Sequence, residues 1–429
     1  MAASSTAPRD PVATATSARV GRDAALTFAG LMVANVLNYV FYALVSRAIG
    51  VEAYGTFSSL VGLVLILSGP ALIAQMIVAK LATDCALAPE RLAQLVRAVD
   101  RLAFGVSLAA GAALAAASFG IAGFLRINDP LLVTYAGVAL FGALMLPFLR
   151  GVLQGTAAFR AFALSVVAET FAKAALAPVF GLIAGVRGAV AGMAVGYALA
   201  AGATYLMGRP HREGSHERLA LRTVILGAIP VALAVSCING MLFFDVVLAK
   251  RYLDPRTAGL YGAAALASRA LYAIVAFIPT VLLPQAALTA ARGQRTRWLF
   301  AQAAGAGAAI GAGAIAFFAL FPTFVITAIA GRAFASGAPL LVPYVYAIAM
   351  LSLANIVATY DIARGRMRFV VPLVLVAAGE IVAMVLRHEN AGDFLRTIAV
   401  GHTLALAACA VSLGRSRGPT AGSTRMEGG

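Results

Sequence analysis

Five charged residues stand inside long apolar stretches of this chain: Glu169, Lys173, Asp245, Arg269 and Glu380. A charge at the centre of a bilayer costs at least ~2.5–3.5 kcal/mol unless it faces protein or a watery cavity. Glu169 and Lys173 are four apart, the favoured Glu-before-Lys order on one helix face, and Ser165 continues the stripe. The pair reads either as a self-neutralising contact between helices or as a contact to substrate or coupling ion. The first reading predicts that exchanging both signs is better tolerated than reversing either one. Arg269 has no acid near it in sequence, and Tyr261, Arg269 and Tyr272 share a helical arc of about 80°. Guanidinium offers forked donors to phosphate. Tyrosine adds a stacking face and a hydroxyl, so this face suits a phosphate-bearing, sugar-rich ligand. The competing reading pairs Arg269 structurally with Asp245 or another buried acid.

The first apolar stretch carries Asn35, Asn38, Tyr39, Tyr42 and Ser46 within an arc of about 100°. Such a stripe lines a cavity or bonds a neighbouring helix. On the seventh stretch Ser236, Asn239, Phe243 and Lys250 share a face, while Asp245 points the other way. The candidate binding residues are Arg269, Asn35, Asn38, Tyr39, Tyr272, Arg47, Asn239 and Lys250. Glu169, Lys173, Asp245 and Glu380 are candidate coupling or structural charges. Cys85, Cys237 and Cys409 are far apart, and His211, His216, His388 and His402 form no metal-binding spacing. No GxxxxGK[ST] phosphate loop occurs. The sequence therefore implies no metal, no cofactor and no built-in ATPase.

The elements that must position these residues are helices in lipid. Of 429 residues, 62% are hydrophobic and 12% charged, with a mean hydropathy of +0.91. A soluble globular chain carries roughly twice that charged share, which excludes a water-soluble enzyme, a disordered regulator and a disulfide scaffold. The apolar runs are continuous rather than alternating, which excludes an outer-membrane barrel. Twelve runs are long enough to span: 24–46, 56–79, 102–125, 131–149, 161–184, 188–207, 223–246, 258–289, 299–321, 338–360, 369–387 and 394–413. Residues 1–21 read as a disordered cytoplasmic N-terminus and 414–429 as a cytoplasmic tail. With the N-terminus inside, about two-thirds of the 33 Lys and Arg residues fall in cytoplasmic segments. The net charge of +16 is thus topological and does not point to nucleic acid.

The chain also repeats. Arg47, Gly55 and Phe57 bridge the first two spans, and Arg251, Gly259 and Tyr261 recur with the same spacing after the seventh. Gly155 and Phe159 follow the fourth span as Gly365 and Phe369 follow the tenth. The expectation is an all-α polytopic membrane protein of about twelve transmembrane helices. It divides into two six-helix lobes, 22–215 and 216–413, related by an axis along the membrane normal.

The stretches SRAIGVEAYGTFSSL (with Arg47, Gly50, Tyr54, Gly55 and Phe57), LRGVLQGTAAFR and FFDVVLAKRYLDPRTAGLYGAA (with Asp245, Lys250, Gly259 and Tyr261) run in an order and spacing that resembles polysaccharide flippases of the Wzx type. These belong to the multidrug/oligosaccharidyl-lipid/polysaccharide (MOP) exporter superfamily. The resemblance implies two lobes around a central cavity, alternating access, and an undecaprenyl-diphosphate-linked oligosaccharide flipped across a bacterial inner membrane. It also implies membrane lipid, polysaccharide polymerase and glycosyltransferases as partners. This chain departs from a strongly basic cavity in its first lobe, where Lys173 is the clear intramembrane cation. The alternative is a cation-coupled multidrug exporter of the same superfamily. The outer loops are too short to carry the catalytic loop of a membrane-embedded polymerase, so no enzyme is expected.

Overall fold

The computed structural model describes residues 11–208, 222–279, 289 and 297–414. The expected lobe boundary at 215/216 and the tail beyond 414 lie outside them, as do residues 1–10. The described residues are helical, with α1 (Pro11–Ser68), α2 (Ala71–Cys85), α3 (Pro89–Ala116), α4 (Ser118–Phe124), α5 (Leu131–Gly155), α6 (Phe159–Met207), α7 (Arg222–Tyr252) and α8 (Pro255–Val275). Then follow α9 (Arg297–Leu320), the short α10 (Pro322–Ala330), a 3-10 segment (Arg332–Leu340), α11 (Leu341–Ala363), α12 (Val370–Leu386) and α13 (Ala391–Gly414).

Two of these helices are hairpins. A straight helix would set residues 41 and 57 about 24 Å apart, yet the rings of Phe41 and Phe57 are 5.9 Å apart. The chain reverses at Gly50, whose φ of 79° suits a residue without Cβ. α6 reverses at Gly185 (φ 60°), which brings Ser165 and Thr204 to 2.6 Å. Nine helices among the described residues are long and apolar enough to cross a membrane, and α12 is a shorter apolar one. Counting both arms of each hairpin and adding α12 gives the expected twelve crossings. The boundaries shift in places. α3 begins at Pro89, so Arg91, Arg97 and Arg101 sit on the helix, not in a loop before it. α8 begins at Pro255 because Asp254 caps it, accepting from the backbone N–H groups of Arg256 and Thr257 at 3.0 Å each. Hydrogen bonding from Thr257 holds the Asp254 carboxyl below its ordinary range.

Small residues set the packing, as they do where helices approach closely in lipid. The first arm of α1 runs parallel to the first arm of α6, with Gly30 against Ala163 and Gly181 against Ala48 and Ile49. The second arm of α1 meets the other lobe, antiparallel to α7 through Gly62 and Gly69, and parallel to α8 through Gly55 and Gly259. A Cβ on Gly259 would lie 1.8 Å from the Val51 carbonyl oxygen. Gly55 and Gly259 hold matching places in the two sequence repeats and touch each other. Matching residues meet only where they flank the axis that relates the halves. The second motif pair also falls at matching joints, between α5 and α6 and between α11 and α12.

Candidate substrate cavity and its buried charges

A cavity of about 260 Å³ lies between the lobes, walled by both arms of α1, by α7 and by α8. Asn38, Tyr39, Tyr42, Tyr54, Ser58, Phe243, Tyr272 and Arg269 are its polar and aromatic lining. Of the expected binding residues it therefore gathers four: Asn38, Tyr39, Tyr272 and Arg269. Asn35, Asn239, Lys250 and Arg47 do not line it. The Asn239 amide donates to Val235 O one turn back (3.0 Å), and its Cβ packs on Gly69. Lys250 is buried at the end of α7. Arg47 lies beyond the end of the cavity, where its guanidinium donates to backbone carbonyls of α10.

Arg269 and Asp245 are joined. The Arg269 Nη2 donates to Asp245 Oδ1 at 2.9 Å, and the acid lies 24 residues earlier on α7. Tyr261 and Tyr344 both donate to the other carboxylate oxygen, Tyr261 at 3.0 Å. Nη2 also reaches the Tyr344 hydroxyl at 3.2 Å, and the guanidinium carbon lies 4.6 Å from the Phe243 ring centre. Three donors around one buried carboxylate leave it satisfied. The arginine is less so, since its Nε is buried without a hydrogen-bond partner. One nitrogen thus holds the acid while the side chain forms part of the cavity wall.

In the first lobe Glu169 binds two cations, not one. Its Oε1 accepts from Lys173 at 2.6 Å and its Oε2 pairs with Arg150 at 2.8 Å. The apolar run 131–149 leaves Arg150 just past its end, in a cytoplasmic segment, but α5 continues to Gly155 and Arg150 is buried. Its Nε and Nη2 donate to the Ser165 hydroxyl and carbonyl at 3.0 and 2.9 Å. Lys173 Nζ reaches the Tyr197 hydroxyl at 3.3 Å and sits 4.4 Å from that ring's centre. The cluster holds two positive charges and one negative. Its sequence signal was Arg150 closing an apolar run, which reads equally well as the last residue of a span.

Glu380 on α12 pairs with His402 on α13, Oε1 to Nε2 at 3.6 Å. The ring also contacts Ala347 O at 2.9 Å and Met241 O at 3.2 Å, so it ties α13 to α11 and α7. Glu380 Oε2 is buried with no hydrogen-bond partner. His402 escaped the sequence reading because a lone histidine on an apolar face carries no spacing signal. Among the described residues no group of three or more His, Cys, Asp or Glu could hold a metal ion.

These features define a multi-pass α-helical membrane protein with a tyrosine-rich chamber between two lobes. The chain shares this fold with solved MATE transporters and with the flippase MurJ. The inward-facing conformation of a multidrug resistance MATE family transporter of the MOP superfamily matches with a TM-score of 0.68 at 13% identity, over 90% of this chain and 96% of that one. Lipid II flippase MurJ, in an inward closed conformation, matches with a TM-score of 0.65 at 11% identity, over 91% and 87% of the two chains. The Vibrio cholerae MATE transporter VcmN gives 0.62 at 13% identity, over 91% and 97%. No protein-family profile and no curated protein sequence matches the chain.

Proposed function

We propose that this protein moves an undecaprenyl-diphosphate-linked oligosaccharide across a bacterial cytoplasmic membrane by alternating access. The observation that carries the reading is the Arg269 guanidinium, bonded to Asp245 through Nη2, on the wall of a chamber lined by tyrosine and asparagine. A guanidinium held in place by Asp245 and Tyr344 is pre-set for a phosphate oxygen. Tyr39, Tyr42, Tyr272 and Asn38 offer hydroxyls, an amide and ring faces to sugar. The polyprenyl tail stays in the bilayer beside the gap between the lobes. The cavity of about 260 Å³ is below the ~300–1,000 Å³ of ordinary ligand sites, so transport requires the lobes to part. Both termini face the cytoplasm on this reading, following the bias of Lys and Arg among the loops. Polymerase and glycosyltransferases act on the same glycan before and after it crosses. Glu169 and Lys173 serve as structure, and Glu380 with His402 as the coupling pair.

A cation-coupled multidrug exporter is the second reading. It is favoured by the buried Glu380–His402 pair and by the likeness to a MATE transporter. Proteoliposomes separate the two. The flippase reading expects a fluorescent polyprenyl-diphosphate saccharide to become accessible on the opposite leaflet, and Arg269→Ala to abolish this. Uptake of a cationic dye, indifferent to Arg269→Ala and with no movement of the saccharide lipid, would replace it with the exporter reading.

A further inference from the structure

Arg47 and Arg251 occupy matching places in the two repeats, and each reaches a short helix of the opposite lobe. Arg47, just before the Gly50 turn, extends to the C-terminal end of α10. Its Nη1 donates to Ile329 O at 2.8 Å and its Nη2 to Ala328 O at 2.7 Å, with Thr327 O at 3.4 Å. A further bond from Nη1 to Ala43 O at 2.7 Å fixes the fork to its own helix. Ser46 adds a hydroxyl donated to Ala330 O at 3.0 Å. The last carbonyls of a helix have no donors within it, and that end attracts cations. Arg251, at the end of α7, lies with its guanidinium carbon 5.5 Å from the ring centre of Phe124, at the end of α4. α4 and α10 fill the same joint in their lobes, after the third and ninth spans, so the two contacts are quasi-symmetric. They are unequal. Both terminal nitrogens of Arg47 are hydrogen-bonded, whereas Arg251 Nε is buried without a partner. Tyr54 of one lobe packs edge-on against Phe334 of the other, ring centres 5.6 Å apart, and Tyr54 is also cavity wall.

We propose that Arg47 and Arg251 are the two halves of a clamp that joins the lobes at one membrane face and seals the cavity there, with Arg47 the stronger half. The sealing role is independent of what is transported. That the clamp must release in each cycle rests on the transport reading above.

The test uses the purified full chain in lipid nanodiscs without substrate. Cys85, Cys237 and Cys409 are replaced, and spin labels are placed at the exposed Asn128 of one lobe and Glu389 of the other, both on the clamped face. Pulsed electron resonance then reads the distance between the lobes. Arg47→Ala is expected to raise the ratio of separated to closed molecules at least tenfold, and Arg47→Lys by less, because an ammonium keeps the charge at the helix end but cannot span three carbonyls. Arg251→Ala should give a smaller shift, and Arg332→Ala, an exposed arginine on the same face, none. An unchanged distance distribution in Arg47→Ala that elutes and melts like its parent overturns the proposal. If Arg47→Ala cannot be recovered folded, Arg47→Gln together with Ser46→Ala is read in its place, and an unchanged distribution there overturns it equally. Failure of saccharide-lipid flipping in proteoliposomes would leave these distances untouched, so the two readings fail separately.

Discussion

Exchanging Glu169 and Lys173 should not rescue either reversal, contrary to what their four-residue spacing suggests. Glu169 sits between Lys173 at 2.6 Å and Arg150 at 2.8 Å, with the three side chains 12%, 6% and 11% exposed. Glu169→Gln leaves two cations facing a neutral amide. Breaking a buried pair in this way costs about 3–5 kcal/mol. In the exchange variant, Glu169→Lys with Lys173→Glu, the new pair persists, although in the less favourable order along the helix. The new lysine, however, now faces Arg150. Two like charges about 4 Å apart at an effective dielectric constant of about 20 repel by about 4 kcal/mol. The exchange should therefore be no more stable than Glu169→Gln. Adding Arg150→Met should recover part of the loss, limited by the Ser165 bonds that Arg150 also makes. Thermal unfolding of the purified protein, followed by size-exclusion fluorescence, reads these three variants beside the parent and the two single reversals. If the exchange melts within about 1 kcal/mol of the parent, Arg150 is not a real partner and the reasoning fails. If melting is preserved while transport is lost, the cluster acts on the substrate or ion directly.

Arg269→Ala should lower the amount of folded protein by leaving Asp245 unpaired, and Asp245→Ala in addition should restore abundance but not transport; recovery of both would make Arg269 a purely structural partner. Gly259→Ala should prevent folding, since its Cβ would fall 1.8 Å from the backbone oxygen of Val51. Gly105→Ala, whose Cβ would meet nothing within 4 Å, should leave membrane abundance unchanged. If Gly259→Ala accumulates normally, the close approach of the lobes at the axis is wrong. Glu380→Gln should retain exchange of substrate across proteoliposome membranes but lose accumulation driven by a cation gradient. Unchanged gradient-driven accumulation would reduce the Glu380–His402 pair to a structural role.

The helices and their number were legible because lipid imposes a one-dimensional rule: about 20 apolar residues to cross, and a charge only where something receives it. That rule singled out Glu169, Lys173, Asp245, Arg269 and Glu380 without any knowledge of partners. Partners are a matter of which helices adjoin, and that was not legible. Arg150 and Glu169 lie on neighbouring spans 19 residues apart in sequence, and no periodicity connects them. Asp245 and Arg269 are joined across α7 and α8 in the same way. The spacing rule can find a charge in need of a counter-charge, but it can name that counter-charge only within one helix.

Arg47 shows the opposite limit. It stands among the candidate binding residues with Asn38 and Tyr39 of the same helix, and those two do line the cavity. What separates them is depth along the axis. Tyr42 still lines the chamber, while Arg47 lies more than one turn further on, at about 1.5 Å per residue. There the neighbouring groups are the open carbonyls of α10. The repeat carried this information in latent form. It matched Arg47 to Arg251 and Gly55 to Gly259, and the glycines prove to meet where the halves meet. The arginines, eight residues earlier in each repeat, then had to lie at the same membrane face, each within reach of the other lobe. Where a chain repeats about an internal two-fold, a sequence match becomes a geometric constraint. The matched residues nearest the axis touch one another, and matched long cations a little further out reach across it. Residues that repeat between halves are therefore better first candidates for the contacts that hold the lobes together than for the contacts that hold a substrate. Arg269, which sits in the cavity wall, has no cation at the matching place in the first half, where Leu65 stands.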